Sequence, residues 1–193
     1  MDDIAFVVGL NGYAGVGKDV FADVLVEDFG FAKYSFSDPL MQSLLAIDPI
    51  IYEPLAVKPR RVIERLSRLV NRVGWTEAKR TPEVRRILQK LGTEAGRDIH
   101  GEDCWVKLMM EKLIEDKPTR VVITNIRFQN EAELVRNCSD VLDCPGVLIR
   151  IERDGFTPAL GHSSDVGCTE IEVDLTVQNN GSIEDFKHHA RST

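Results

Sequence analysis

The sequence lacks the marks of several large protein classes. No apolar run approaches the roughly 20 residues that a membrane-spanning helix needs. Cysteine is sparse, at Cys104, Cys138, Cys144 and Cys168, with no C-x-x-C pair and no histidines at zinc-finger spacing. This points to reduced intracellular thiols rather than a disulfide framework. His188 and His189 read as a solvated helix end rather than a metal site. The opening MDDIAFVVGL carries two acids and no basic stretch, so no secretory leader is expected. Positive charge is in deficit, with 24 Lys and Arg against 31 Asp and Glu and a net charge of −7. Such a chain is a poor partner for a long polyanion, so neither a nucleic-acid polymer nor a membrane is expected to bind it. Internal repeats and low-complexity tracts are also missing. What is left is an ordinary globular chain of 193 residues, 43% hydrophobic and 28% charged. Its size supports one domain with its own core, with room for a small inserted subdomain.

The pattern alternates strands with helices, which argues for an α/β fold built on a mainly parallel sheet. Ile4–Leu10 is a continuous apolar run, as in a strand buried on both faces. A glycine-rich stretch follows, then a helix with Val20, Phe21, Val24 and Leu25 on one face and Gly30 at its C-terminal stop. Phe31–Phe36 reads as a second strand, and Asp38-Pro39 as a helix cap followed by proline in the first turn. Arg60–Val73 carries apolar residues at helical spacing. Thr81-Pro82 opens another helix, expected to stop at Gly92, and Asp103–Glu115 forms a further one with Trp105, Leu108, Met109 and Leu113 inward. Arg120–Thr124, Val147–Glu152 and Val173–Val177 read as strands, and Asn130–Asn137 and Ile183–Ala190 as helices. Residues 153–170 are rich in Gly, Pro, Ser and Thr and read as a loop or lid.

Chemistry concentrates in Gly12-Tyr-Ala-Gly15-Val16-Gly17-Lys18-Asp19. This is G-x-x-x-x-G-K with Asp where Ser or Thr is usual. Glycines let the backbone curl until successive N–H groups face one anion. The helix opening near Lys18 adds its positive end, and the Lys18 ammonium reaches the β- and γ-phosphates of a nucleotide. A buried strand before the motif and an amphipathic helix after it make a phosphate loop the stronger reading over a plain turn. A carboxylate beside triphosphate is repulsive unless a cation intervenes, so Asp19 is expected to touch Mg²⁺, with capping of the helix as its other reading.

Together the motifs make the chain similar to the bacteriophage-type deoxynucleoside monophosphate kinases, a branch of the P-loop kinases. GYAGVGKD resembles that family's phosphate loop, and SFSDPL its element after the second strand. LQKLGTEAGRDI with Trp105 downstream is the most specific stretch. TNIRFQNEAE, HSSD and NNGSIEDF resemble its later elements, in order along nearly the whole chain. Three positions depart from the family pattern: Asn125 for Asp, Asp165 for Glu, and Val20 for Thr. The resemblance implies a single P-loop kinase domain over residues 1–193, with a helical dNMP-binding subdomain inserted at approximately 39–100 and a lid-like loop at approximately 153–170. The partners it implies are ATP with Mg²⁺ and a deoxynucleoside monophosphate, and the setting is the cytoplasm, of the host if the gene is phage-borne. A homodimer is compatible with the sequence but not read from it.

The family reaction moves the γ-phosphoryl group of ATP onto the phosphate of a dNMP. Such chemistry asks for positioning and charge neutralisation more than for a base, so arginines matter most. Residues 58–97 hold 12 of the Lys and Arg and 4 of the Asp and Glu, a local charge of +8 against −15 elsewhere. Most of these arginines read as a solvated helix face, with Arg61 selected to grip the acceptor. The loop itself, Asn11, Gly12, Gly15, Val16, Gly17, Lys18 and Asp19, is expected to take the ATP phosphates. Lys18, Arg97 and Arg127 are expected to act on the transferring group. Gln89 offers a base edge both a donor and an acceptor, and Glu94 and Arg97 share its motif. Trp105 reads as core or as a stacking platform. Asp38 is a cap, a substrate contact or, for a hydroxyl acceptor, a base. Asn130 is a cap or a contact, and Glu131 a contact or a first-turn acid. His162 touches nucleotide from the lid or caps a turn. Asn179, Asn180 and Gly181 form the loop beside the ATP base or a plain turn. The alternatives are another small-molecule P-loop kinase of the dephospho-coenzyme A type, or a non-catalytic nucleotide-binding protein. A GTPase switch is disfavoured because no Asn-Lys-x-Asp motif appears.

Overall fold

A computed structural model describes residues 4–54, 61–139, 143–156 and 168–193. The elements run β1 (Phe6–Asn11), α1 (Lys18–Phe29), β2 (Ala32–Ser35), α2 (Ser37–Ile47), β3 (Ile50–Pro54), β4 (Arg61–Arg65), α3 (Leu66–Ala78) and α4 (Pro82–Lys90). A π-helical stretch, Leu91–Arg97, runs from α4 into the short α5 (Asp98–His100). Then come α6 (Cys104–Asp116), β5 (Arg120–Ile126), α7 (Gln129–Arg136), β6 (Gly146–Glu152), β7 (Leu175–Gln178) and α8 (Ile183–Ser192). The chain forms two compact units, residues 1–36 with 108–193, and residues 37–107.

The first unit is an α/β layer structure. Its five strands lie in the order β2-β5-β1-β6-β7, all parallel. Val8 and Leu10 of β1 face Phe21 and Val24 of α1 and Phe186 and Ala190 of α8, forming one buried cluster. Each fully buried large side chain there stabilises the fold by about 1.5–3 kcal/mol. The opposite face meets α7, and Gly9 is glycine because a Cβ there would lie 2.7 Å from Leu148 and 3.0 Å from Val135. β1 is central, with its neighbours β5 and β6 reached by separate crossovers. In such sheets ligands sit beyond the strand carboxyl ends at that switch.

The second unit holds the antiparallel hairpin β3–β4, with Tyr52 opposite Ile63. Leu44, Ile51, Leu66, Leu69, Ala78 and Val84 form its core.

The structure corrects several expectations. Arg61–Arg65 is strand, not the start of a helix: the β-branched Val62 and Ile63 pair with a strand at 50–54 that the sequence did not reveal. Cross-strand pairing outweighs local helical spacing there, and the helix begins only at Leu66. Gly92 does not stop its helix. It stays helical and buried, its carbonyl accepts the Trp105 indole N–H at 2.9 Å, and the backbone turns out only at Gly101, φ 93°. Asp38 does not precede α2 as a cap; it lies in the first turn of a helix that opens at Ser37, where an acid suits the positive helix end. Asn130 is inside α7 rather than its cap, since the cap position is Phe128. Leu108 is 40% exposed rather than inward, unlike Trp105, Met109 and Leu113. Gly30 does end α1, left-handed at φ 70°, with its N–H donating to Leu25 and Val26 carbonyls.

Candidate active site

The phosphate loop leaves β1 from a fixed point. Asn11 is fully buried. Its amide donates to the Ile126 carbonyl at 2.9 Å and to Cys168 Sγ at 3.2 Å, and its Oδ1 accepts from Arg150 Nε at 2.9 Å. Arg150 in turn donates to the carbonyls of Cys168 and Ile171. The last residue of β1 is thus anchored to β5, β6 and the 168–171 segment before the loop begins. Nothing in the sequence pattern singled out Arg150, which pairs with Asn11 only through the β1–β6 register.

Gly12 and Gly17 show why this loop needs glycine. Both have positive φ, 132° and 109°. A Cβ on Gly12 would lie 2.4 Å from the Ile151 carbonyl, and one on Gly17 2.4 Å from Asn179 Nδ2. Gly15 packs against the ring of Phe156, over which Arg153 sits at 5.6 Å. Gly17 is the N-cap residue of α1 and supplies no side-chain cap, an arrangement that suits an anion at the helix start. Lys18 is buried within the loop, its Nζ donating to the Gly12 and Tyr13 carbonyls at 2.7 and 2.6 Å.

Asp19 follows in the first turn of α1, 77% exposed, with its carboxylate 3.1 Å from Lys33 Nζ. Lys33 also holds Asp23 at 2.9 Å. Burial alone would lower the Lys33 pKa, but its hydrogen bonds to Asp23 and Asp19 prevail and raise it. Lys33 is a pairing that sequence reasoning missed, because its partners lie on another element.

At the carboxyl end of β5, Asn125 adopts the left-handed region at φ 63°, which Asn tolerates better than most residues. Its amide donates to Ser35 Oγ at 3.3 Å and contacts Thr124 Oγ1 at 3.5 Å. Arg127 comes next in the β5–α7 connection. Glu131 is buried, and its carboxylate accepts the Arg127 N–H at 2.8 Å and the Phe128 N–H at 3.3 Å. It therefore closes the N-terminus of α7, half of a capping box.

The loop after β7 contacts the phosphate loop. Asn179 is buried, donating its N–H to Glu152 O and its Nδ2 to Val16 O, both at 2.7 Å. Asn180 Oδ1 accepts the Asp154 N–H at 2.8 Å, and Gly181 approaches Asp185. The structure thus brings together Asn11, Gly12, Gly15, Val16, Gly17, Lys18 and Asn179 in one unit, which also contains Arg127, Asn130 and Glu131.

Asp38, Arg61, Gln89, Glu94, Arg97 and Trp105 belong to the other unit. Gln89 and Arg97 are half-buried and Glu94 exposed, on α4 and its π-helical extension. Glu94 pairs with Lys90 at 3.1 Å. Trp105 is buried against Gly96 and so belongs to the core. Arg72, Arg80 and Arg86 of the basic segment pair with Glu64, Glu77 and Glu83, as a solvated face would. His162 lies outside the described residues.

The sequence model of the deoxynucleotide monophosphate kinase family matches residues 59–190. The deoxynucleoside-5'-monophosphate kinase of Escherichia phage T5 is 35% identical, over 85% of this chain and 85% of its own. A protein of Acanthamoeba polyphaga mimivirus, provisionally named a deoxynucleotide monophosphate kinase, is 29% identical over 93% of this chain and 91% of its own. Among solved structures, an APS kinase of Mycobacterium tuberculosis covers 98% of this chain and 96% of its own at 14% identity and TM-score 0.43.

Proposed function

The chain belongs to the deoxynucleotide monophosphate kinase family, and from that membership we infer that it transfers the γ-phosphoryl group of ATP to a deoxynucleoside monophosphate. The products are ADP and a deoxynucleoside diphosphate. The observation that carries this reading is the Gly12–Lys18 loop, wound around a buried lysine ahead of a helix whose first N–H groups take no side-chain cap.

An oxygen of the acceptor phosphate attacks the γ-phosphorus, and the bond to the bridging oxygen of ADP breaks. The acceptor is already largely dianionic at neutral pH, so the step needs no base and depends on alignment and charge. The loop from Asn11 to Lys18 holds the ATP phosphates through backbone N–H groups. Lys18 exchanges its carbonyl partners for phosphate oxygens. Arg127, following β5, and Arg97 neutralise the transferring group. Gln89, Glu94 and Arg61, with Asp38, Asn130 and His162, serve the dNMP. Trp105 supports that site from the core, and Glu131 does so by fixing the connection that carries Arg127. The Asn179–Gly181 loop flanks the ATP base. The 37–107 unit is the dNMP-binding insert, and the working compartment is the cytoplasm.

Among the described residues no three His, Cys, Asp or Glu cluster as a metal cage. Mg²⁺ carried by a nucleotide needs none, since it takes one or two carboxylates with phosphate oxygens and water. Asp19, exposed beside the loop, fits that role. The ion supplies charge neutralisation across the phosphates when bound.

The deciding experiment is a coupled assay with ATP–Mg²⁺ and a panel of dTMP, dGMP, dCMP, dAMP and modified dCMPs. ADP formation that depends on a dNMP supports the reading. ADP formation only with dephospho-coenzyme A, or none with any acceptor, overturns it.

A further inference from the structure

The contact between Asn179 and Val16 bears on how the phosphate loop is aimed, and this rests on the kinase reading above. Asn179 is held at both ends. Its N–H donates to Glu152 O at 2.7 Å, where β6 and β7 run side by side. Its amide Nδ2 donates to the Val16 carbonyl at 2.7 Å. The side chain is buried against Gly17 and shares that surface with Phe186: a Cβ on Gly17 would lie 2.4 Å from Asn179 Nδ2 and 3.1 Å from the Phe186 ring. Asn179 and Phe186 therefore back the same side of the loop.

The Val16–Gly17 peptide, like every described peptide of this chain, is trans. In a trans peptide the C=O and the following N–H point in opposite directions. Fixing the Val16 carbonyl on Asn179 therefore fixes the Gly17 N–H away from Asn179 and Phe186. Gly17 precedes α1, and its N–H is one of the donors a helix start leaves without an intrahelical acceptor. With no side chain and φ 109°, Gly17 has little of its own to prevent the peptide from turning over.

We propose that Asn179 is a positioning residue for the phosphate loop: its amide locks the Val16–Gly17 peptide so that the Gly17 N–H is presented to the nucleotide β-phosphate. The sequence places Asn179 in the loop beside the ATP base or in a plain turn. Its side-chain donor is engaged by Val16, which makes it a link between the β7–α8 connection and phosphate binding.

The test uses the full chain, with ADP as probe and magnesium constant. Asn179→Asp keeps the shape and replaces the donor with an acceptor, and Asn179→Ala removes it. Calorimetry should show ADP binding at least about tenfold weaker in both, with the KM for dNMP within about twofold of wild type. Asn179→Asp should recover ADP affinity between pH 8 and pH 5.5, because a protonated carboxyl again donates to Val16, whereas Asn179→Ala should not recover. The Gly17 amide shift on adding ADP, read by NMR, should shrink in both variants. Wild-type ADP affinity in Asn179→Ala, or equal losses for ADP and dNMP in proportion to lost thermal stability, overturns the proposal. A wild-type chain that binds ADP yet phosphorylates no dNMP refutes the kinase reading and leaves this inference standing.

Discussion

The Lys33 ammonium lies 3.1 Å from the Asp19 carboxylate and 2.9 Å from that of Asp23. The acid that follows the phosphate-loop lysine is thus partly neutralised by β2 before any nucleotide arrives. The pairing explains how a carboxylate is tolerated where Ser or Thr is usual, and under the proposed Mg²⁺ role of Asp19 it would set Lys33 and the ion in competition for one group. Asp19→Ala should raise the Mg²⁺ concentration for half-maximal rate by about tenfold, equal to about 1.4 kcal/mol of lost ion binding, with partial rescue at high Mg²⁺. Lys33→Met should lower it. Titrating Mg²⁺ at saturating ATP checks both, and a wild-type curve for Asp19→Ala would sink the assignment.

Arg127 and Glu131 are neighbours with separable duties. Arg127→Ala should reduce kcat by about 10³-fold, as for loss of an arginine on a transferring phosphoryl group. Glu131→Ala should instead remove the acceptor at the start of α7 and cost about 1 kcal/mol of stability. Steady-state kinetics beside urea unfolding separates the two. A stable Arg127→Ala enzyme with unchanged kcat would refute the first expectation.

The Trp105 indole and Gly96 form one packed contact. Trp105→Phe leaves the buried Gly92 carbonyl without its donor and should cost about 1–3 kcal/mol. Gly96→Ala would place a Cβ 2.6 Å from the Trp105 ring and should cost a similar about 1–3 kcal/mol by overpacking. The two losses should add to less than their sum in the double variant, because both act on one contact. Denaturant midpoints of the three variants test this.

Alkaline pH should weaken the fold. Burial, with the hydrogen bond to Asp116, pushes the Tyr34 hydroxyl up to about 12. Burial, with the neighbouring Cys144 thiol, pushes Cys138 up to about 12, and the Cys138 thiol donates to the Cys144 carbonyl. Both groups are neutral when protonated, and both titrate higher in the folded chain than in the unfolded one. Their stabilising effect is therefore complete below the unfolded values, about 8.5 for Cys and 10 for Tyr, and is lost as pH rises toward 12. Urea midpoints at pH 8 and 10.5 should fall for the wild type and fall less for Cys138→Ala combined with Tyr34→Phe. Equal slopes would contradict the assignment.

Much of the fold was legible in the sequence because its signals are local. An apolar run, a glycine loop and an amphipathic segment marked β1, the phosphate loop and α1 within a few residues of their bounds. The β-branched run at 120–124 marked β5, and Gly30 marked the end of α1. The reading failed where a distant partner overrode the local pattern. Residues 61–65 carry helical spacing but are strand because residues 50–54 pair with them. Gly92 carries a stop signal but stays helical, its carbonyl satisfied by Trp105 from 13 residues away.

The site divides the same way. Sequence by itself determined that this chain has a loop able to curl around phosphate, because glycine spacing and an adjacent lysine fix that capacity within Gly12–Lys18. It also determined a basic segment on an acidic chain. Only the tertiary structure decided what holds that loop: Arg150 on Asn11, Asn179 on Val16 and Lys33 on Asp19, from strands or loops that meet the motif only after the sheet is assembled. A backbone loop can specify its curvature in the seven residues Gly12–Lys18. The hydrogen bonds and charges that fix its orientation come from chain segments up to 163 residues away, which no local pattern encodes.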